Sequence, residues 1–269
     1  MRVFSAANRF GALALSLALL AGCASNDTTP DEEQDEFAGV QERELYELAR
    51  TALDSNRYPI AIERLEALDT RYPFGPHAEQ AQLELVYAYY ENSDWEEARA
   101  AASRFIRLHP DHPQADYAYY LRGLSAWQAG RFSLERLRLI DISKRDLGAS
   151  RDAYNDFREL IQRFPQSEYA PDAQQRIVYL RELLANHELH VADYYLRRGA
   201  YLAAVERGRW VVEHYPESNA TRDALATMVE GYQGLGMNDR AGEVFAVLRE
   251  NAPDHEQLQG GRFVPKHLD

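Results

Sequence analysis

Apolar residues recur three and four positions apart along most of residues 41–253, as in Ile62, Leu65 and Leu68. This spacing places the apolar side chains on one face of an α-helix. No segment sustains the period-two alternation that is typical of a half-buried strand. The sequence therefore predicts an all-α fold without a sheet.

An alanine followed twelve residues later by a proline occurs five times along this region. The pairs are Ala61 and Pro73, Ala98 and Pro110, Ala153 and Pro165, Ala204 and Pro216, and Ala241 and Pro253. Proline stops a helix because it lacks the N–H and its ring clashes with the preceding turn. Three of the alanines also have an aromatic residue three positions earlier. This pattern is typical of the second half of a tetratricopeptide repeat, and it predicts a solenoid of five helix pairs.

Two of the intervals between the alanines are longer than the repeat allows. The four successive intervals between the alanines measure 37, 55, 51 and 37 residues, against about 34 in the ideal repeat. We expect a loop insertion in repeat three, within 131–146, and one long first helix in repeat four, which Pro171 opens. The predicted first helices are 41–55, 77–91, 114–129, 171–197 and 220–234. The predicted second helices are 58–72, 94–108, 148–164, 200–215 and 238–250, and the C-terminal tail 254–269 carries no prediction.

The first 22 residues have the composition of a secretory signal. Arg2 and Arg9 make the start positive, and an apolar run follows that is too short to span a bilayer. The run ends in Leu20-Ala21-Gly22-Cys23, the lipobox pattern of bacterial lipoproteins. Cys23 is the single cysteine of the chain, and we predict that it carries the lipid anchor. The residue after it is alanine rather than aspartate, which favours sorting to the outer membrane.

Residues 23–40 are rich in Asp and Glu and poor in apolar residues. Such a segment gains too little from burial to offset the entropy of ordering it. We predict a flexible acidic tether between the lipid and the helical repeats 41–253.

The chain offers little that suggests catalysis. One cysteine excludes a disulfide framework and a multi-cysteine zinc site. His187 and His190 stand three residues apart, whereas the helical zinc-protease motif needs four, and Asp193 is the only further ligand nearby. We expect these histidines to be solvated, with no metal, no cofactor and no enzyme activity. The net charge of −13 also argues against a nucleic-acid partner.

Binding is the remaining class of function, and two features indicate where it takes place. Eleven of the 17 tyrosines fall on predicted first helices, which line the concave binding face of such solenoids. Tyrosine suits peptide binding, although for any single tyrosine burial between helices is the favoured explanation. The second feature is a basic loop on an acidic protein, either a docking point for an acidic partner or a solvated loop. Its basic residues are Arg131, Arg136, Arg138, Lys144 and Arg145.

Several short motifs resemble the BamD family, the lipoprotein subunit of the β-barrel assembly machinery of Gram-negative outer membranes. They are Arg71-Tyr72-Pro73-Phe74-Gly75-Pro76, the segments 85–90 and 104–110, Arg122-Gly123-Leu124, Asp141-x-Ser143-x-Arg145-Asp146, Tyr195-x-x-Arg198-Gly199-Ala200, and 220–225. Generic tetratricopeptide proteins share the alanines and prolines but not Tyr-Pro-Phe-Gly-Pro.

The resemblance implies a non-enzymatic scaffold on the periplasmic face of the outer membrane. Its implied partners are the POTRA region of BamA, other small Bam lipoproteins, and unfolded outer-membrane proteins bound by their C-terminal signal. For BamA it points to Arg198, with Tyr195 and Gly199. For the substrate groove in repeats one to three we nominate Tyr72, Phe74, Tyr87, Tyr90 and Tyr120.

Two alternatives stay open from the sequence. One is a tetratricopeptide lipoprotein that pilots a secretin or pilus component. The other is an envelope enzyme that carries helical repeats, which the lack of a catalytic motif disfavours. Co-purification with a large POTRA-containing barrel protein would separate the assembly scaffold from the first alternative.

The anchor is directly testable. Cys23→Ser removes the acyl acceptor, so we expect an unprocessed or soluble protein instead of one held at the outer membrane. Membrane fractionation and mass spectrometry of the mature protein check this. An unmodified Cys23 in the mature wild-type protein would contradict the assignment.

Overall fold

The computed structural model describes residues 37–131, 143 and 146–268. The predicted signal, Cys23, most of the tether and most of the basic loop lie outside these residues. Residues 37–41 belong to a separate unit, with a turn in which the Val40 N–H donates to the Phe37 carbonyl. In the part that is described, no helix is both long and apolar enough to cross a bilayer.

Ten helices follow one another in the described part of the second unit. They are α1 Glu42–Asp54, α2 Tyr58–Arg71, α3 Ala78–Glu91, α4 Trp95–Leu108, α5 Ala115–Ala129, α6 Gly148–Arg163, α7 Ala170–Arg197, α8 Tyr201–His214, α9 Thr221–Gly234 and α10 Asn238–Asn251. Every end lies within one residue of its predicted position. The all-α prediction is therefore confirmed, and Ala170–Arg197 form one continuous helix of 28 residues.

Helices pack against their neighbours along the chain, as pairs in a solenoid do. First helices of successive pairs also contact one another, most extensively α3 with α5 and α7 with α9. The alanines of the five Ala–Pro pairs are buried, and so are four alanines that stand eight residues after a repeat proline. None is more than 4% exposed: Ala61, Ala98, Ala153, Ala204 and Ala241, and then Ala81, Ala118, Ala173 and Ala224. A larger side chain there would push the helices apart, which is the physical reason for the pattern.

Arg122 and Gly123, from one of the family motifs, serve the packing of α5 on α6. A Cβ on Gly123 would stand 2.7 Å from the Phe157 ring, so only glycine allows this approach. The Arg122 guanidinium lies 2.8 Å from an Asp156 carboxylate oxygen and 2.6 Å from one of Glu159. Burial, opposed by the nearby arginines, raises the pKa of Asp156. This motif therefore holds two helices together.

After four of the five repeat prolines, the side chain two residues later ties the turn to the preceding first helix. Ser167 Oγ accepts the backbone N–H of Tyr169 at 3.2 Å and donates to Asp116 on α5 at 2.6 Å. Ser218 makes the same two bonds, from the Ala220 N–H at 3.1 Å and to Glu182 on α7 at 2.9 Å. We call this arrangement the inter-repeat staple.

Histidine replaces serine in two other turns. His112 Nδ1 accepts the Gln114 N–H at 3.1 Å, and its Nε2 lies 3.9 Å from the Glu79 carboxylate. His255 Nδ1 accepts the Gln257 N–H at 3.2 Å, and its Nε2 lies 3.0 Å from Asp223. The two imidazole nitrogens thus contact the backbone N–H of the turn and the acid of the preceding first helix, which the single hydroxyl oxygen contacts in the serine turns. His255 follows the last repeat, so the tail starts with the turn that elsewhere begins a new helix pair.

The tail continues as an antiparallel ribbon of β1 Leu258–Gln259 and β2 Arg262–Phe263. The expectation of no sheet is wrong for this segment. Gly260 and Gly261 form the two-residue loop with φ of 60° and 78°, the left-handed conformation that tight hairpins require. Leu258 and Phe263 pack on the core of the last repeat. The Gly-Gly pair was the sequence signal for this hairpin.

Glu230 on α9 anchors the end of the tail. Its side chain is 1% exposed, and it accepts the Gln257 side-chain amide at 3.1 Å and the Lys266 N–H at 3.0 Å. The His267 N–H donates to its other oxygen, and His267 Nε2 lies 3.0 Å from Asp193 on α7. One buried carboxylate thus accepts hydrogen bonds from three donors of the tail. These bonds offset part of the free-energy penalty of burying its charge.

We expect Glu230→Gln to lower the free energy of unfolding by about 2 kcal/mol, because hydrogen bonds to a charged acceptor are lost and an amide N–H₂ faces backbone donors. Urea denaturation followed by circular dichroism measures it. Glu250→Gln is the matched control, since Glu250 is exposed on α10, and it should change stability by only a few tenths of a kcal/mol. Equal stability of both variants would contradict the anchoring role.

Candidate partner-binding surfaces

The C-terminus of α7 ends in a tight glycine turn. Gly199 has φ of +70°, and its N–H donates to the Leu196 carbonyl at 3.0 Å. The Ala200 N–H reaches the Tyr195 carbonyl, also at 3.0 Å. These bonds satisfy carbonyls that the helix end leaves open. The predicted helix end at Arg198-Gly199 is confirmed.

Arg198 projects from this turn into solvent. Its guanidinium lies 5.0 Å from the centre of the exposed Tyr194 ring. In the described part of the chain, no carboxylate forms a salt bridge with it. The preceding Arg197, by contrast, pairs with Asp193 at 3.0 Å. Arg198 is therefore the arginine at this end that is available to a carboxylate of a partner.

Four exposed apolar side chains, on the α7–α8 turn beside Arg198 and on the neighbouring α9–α10 turn, form what we call the α7–α8 edge. Tyr194, Leu202, Leu235 and Met237 are between 39% and 60% exposed. The Tyr201 ring packs so closely on Gly234 that a Cβ on Gly234 would stand 2.6 Å from it. The turn before α8 and the turn after α9 therefore lie together. Large apolar groups beside an unpaired arginine are typical of a protein interface.

Tyr195 differs from its neighbour Tyr194. It is half-buried and lines a cavity of about 430 Å³ together with Ser143, His187 and His190. His187 Nδ1 donates to the Ser143 carbonyl at 2.6 Å, so this histidine binds the insertion of repeat three instead of being solvated as expected. His190 is exposed. Within the described ranges, no three His, Cys, Asp or Glu side chains are grouped to hold a metal ion.

Three of the nominated groove tyrosines share the packed first helices α3 and α5. Tyr120 stacks on Tyr169 with ring centres 4.7 Å apart, and its hydroxyl donates to Asp172 at 2.8 Å. Tyr90 packs edge-on against Trp95, and Tyr87 in the same way against Tyr58. Burial is the main cause that raises the pKa of Tyr87 and of Tyr120 to about 12. Both hydroxyls are therefore protonated donors at neutral pH.

Tyr72 and Phe74 lie elsewhere, in the turn between α2 and α3. Tyr87 follows the start of α3 by nine residues, which is about 13 Å along a helix. Tyr72 is half-buried and Phe74 is 98% exposed. The five nominated residues therefore divide into an exposed turn and a separate aromatic row. Tyr169, which stacks in that row, was missed because it precedes α7 instead of lying on a first helix.

The basic loop is described only at its start. Arg131 is exposed just beyond α5. Arg136, Arg138, Lys144 and Arg145 lie outside the described residues, and so does the lipid site Cys23. Docking through this loop stays a prediction.

Successive paired helices, with an apolar edge and an aromatic row on their surface, define a helical-repeat protein. Residues 39–247 match the family profile described as YfiO, outer membrane lipoprotein. The chain belongs to this family.

Curated relatives named outer membrane protein assembly factor BamD are similar over most of the chain. The Vibrio cholerae protein is 44% identical over 84% of this chain and 90% of its own length. The Neisseria meningitidis serogroup A protein is 39% identical over 90% of both. The Xylella fastidiosa Temecula1 protein is 37% identical over 98% of this chain and 88% of its own. Among solved structures, MamA aligns with a TM-score of 0.32 at 15% identity, covering 83% of this chain and 98% of its own.

Replacing glycine by alanine should have opposite effects on the stability of the fold at Gly199 and at Gly242. Gly199→Ala should destabilise the fold by about 1 kcal/mol, because an L-residue is strained at this positive φ. Gly242→Ala, in the interior of α10 with open space around it, should stabilise it by up to about 1 kcal/mol. Thermal unfolding of both variants measures the difference. A stabilising Gly199→Ala would contradict the left-handed turn.

Proposed function

We propose that this protein is a non-enzymatic scaffold of the outer-membrane β-barrel assembly machinery. It is anchored by a lipid at Cys23 to the periplasmic face of the outer membrane. It binds the POTRA region of BamA and unfolded outer-membrane proteins, and supports their folding and insertion. The observation that carries the proposal is the family membership, because relatives named as assembly factors match over most of both chains.

The α7–α8 edge is the proposed contact with BamA. It offers Arg198 without a salt-bridge partner in the described chain, beside exposed Tyr194 and Leu202. A guanidinium binds a carboxylate through two parallel hydrogen bonds, which an ammonium group cannot do. We therefore assign Arg198 to a carboxylate on the POTRA domain, with Tyr195 and Gly199 positioning the helix end that carries it.

The aromatic row of α3 and α5 is the proposed place of substrate binding. Tyr87, Tyr90 and Tyr120 give broad, half-buried ring surface, which suits an extended chain with alternating apolar residues. The hydroxyls of Tyr87 and Tyr120 are protonated at neutral pH. Tyr72 and Phe74 form a second contact in the exposed turn. The basic loop from Arg131 to Arg145 is the proposed docking point for an acidic partner, such as another Bam lipoprotein.

A pull-down from native envelopes separates this proposal from a secretin or pilus pilot. An assembly scaffold should co-purify with a POTRA-containing barrel protein, and a pilot with a secretin or pilus component. The family membership supports the first outcome.

The sharpest test is at Arg198. We expect Arg198→Ala and Arg198→Lys each to weaken binding of the purified BamA periplasmic domain, the alanine variant by about 2 kcal/mol or more, because a desolvated carboxylate is left unpaired. Calorimetric titration measures the affinity, and circular dichroism should show an unchanged fold.

Arg197→Ala is the matched control, since it removes the same charge one residue earlier, from an arginine that already has a partner. The affinity of the Arg197→Ala variant for BamA should stay within about twofold of wild type, because a solvent-exposed charge at the edge of an interface contributes little to affinity. Wild-type affinity of Arg198→Ala, or a melting temperature many degrees lower, would show that Arg198 only caps the helix.

A further inference from the structure

A cavity of about 300 Å³ opens between α1, α3 and α5, in the first three repeats. Its wall combines two tyrosines, two leucines and several charged or amide side chains. The lining residues used below are Arg50, Leu53, Asp54, Gln80, Leu83, Glu84, Tyr87 and Tyr117. The cavity reaches the aromatic row at Tyr87 and is therefore continuous with the proposed substrate surface.

Glu84 is the unusual member of this wall. Its side chain is only 8% exposed. All its donors converge on one oxygen, Oε1, which accepts from Arg50 at 2.6 Å, Gln80 at 2.9 Å and the Tyr46 hydroxyl at 3.1 Å. The other oxygen, Oε2, is buried and has no hydrogen-bond partner among the described residues. Buried carboxylate oxygens are normally satisfied, so this one has capacity for a further donor.

The charge around the cavity is negative. Arg50 is the one cation in its lining, and Asp54 also competes for it at 3.7 Å. Glu91 stands close enough to contribute to the raised pKa of both Tyr87 and Tyr117, of which burial is the main cause. The carboxylates of Glu84, Asp54 and Glu91 therefore lie in or near a cavity whose lining contains one guanidinium, that of Arg50. An anionic group entering the cavity would be repelled, whereas a cation would be attracted.

We propose that this cavity recognises a lysine or arginine side chain of an unfolded outer-membrane protein segment, with Glu84 Oε2 accepting the charged donor. The inference rests on the proposed substrate role of repeats one to three. The aliphatic stem would lie along Leu53 and Leu83, as long basic side chains commonly bury their methylenes. The tyrosine rings favour the positive head through their negative faces. The cavity thus selects a basic side chain within the segment and excludes its terminal carboxylate.

The test uses short fluorescein-labelled peptides with the alternating apolar pattern of a barrel strand and a terminal phenylalanine. They differ at one polar position, which carries Lys, norleucine or Glu. By fluorescence anisotropy, the wild-type protein should bind the Lys peptide roughly tenfold tighter than the norleucine peptide, and the Glu peptide more weakly than both. Glu84→Gln should abolish the preference for Lys while leaving the norleucine affinity within about twofold of wild type.

Glu66→Gln is the matched control, because Glu66 also accepts a tyrosine hydroxyl, from Tyr89, but is exposed on α2. It should keep the full preference for Lys. A merely structural role of Glu84 would lower the affinity for all three peptides together.

A second measurement does not depend on the folding of any variant. Carbodiimide coupling of the Lys peptide to the wild-type protein, mapped by mass spectrometry, should join the lysine to Glu84 or Asp54. Coupling only to other carboxylates overturns the inference, and so does equal wild-type affinity for the Lys and norleucine peptides. In both cases the proposed substrate binding stands, because the peptides still bind. Failure of every peptide to bind overturns the proposed substrate role and this inference with it.

Discussion

The inter-repeat staple is the interaction on which the rest of the helical array depends. Each staple joins three elements: the backbone of a turn, the serine or histidine side chain two residues after a repeat proline, and an acid on the preceding first helix. Ser167 and Ser218 do this with a hydroxyl, and His255 does it with an imidazole. In a repeat solenoid each unit contacts only its neighbours, so the geometry of these turns sets the position of every later helix. A single loosened turn would displace everything that follows it.

Helix α7 connects the two proposed binding surfaces. Its first turn carries Asp172, which accepts the hydroxyl of Tyr120 from the aromatic row. Its last residues support Arg198 at the α7–α8 edge. A continuous helix of 28 residues spans about 42 Å at 1.5 Å per residue. The extra turns that lengthened the third interval in the sequence therefore set the distance between the substrate row and the proposed contact with BamA.

The helices were predictable because their limits follow from local chemistry. Pro110 and Pro216 cannot continue the helices that precede them, and Ala98 and Ala204 are buried where a larger side chain would push two helices apart. The substrate residues were harder to group, because Tyr72 and Tyr87 are close in sequence but separated by the rise of α3. The partners of Glu84 come from α1 and α3 together, and no periodicity indicates which oxygen stays without a donor. The prediction for His187 failed for the same reason, since its partner Ser143 is far away in the sequence.

The tail also has a consequence for how molecules of this protein meet one another. A stack of helix pairs has no natural end, and its last pair presents the same kind of apolar face that receives a neighbour within the stack. Here Leu258 and Phe263 of the ribbon cover Leu225, Val229 and Leu248 at that face. The chain starts a further turn at His255 and then closes it with a hairpin instead of a helix. Terminal caps of this kind keep repeat arrays soluble, and the ribbon covers the face on which the end of a second molecule could otherwise stack.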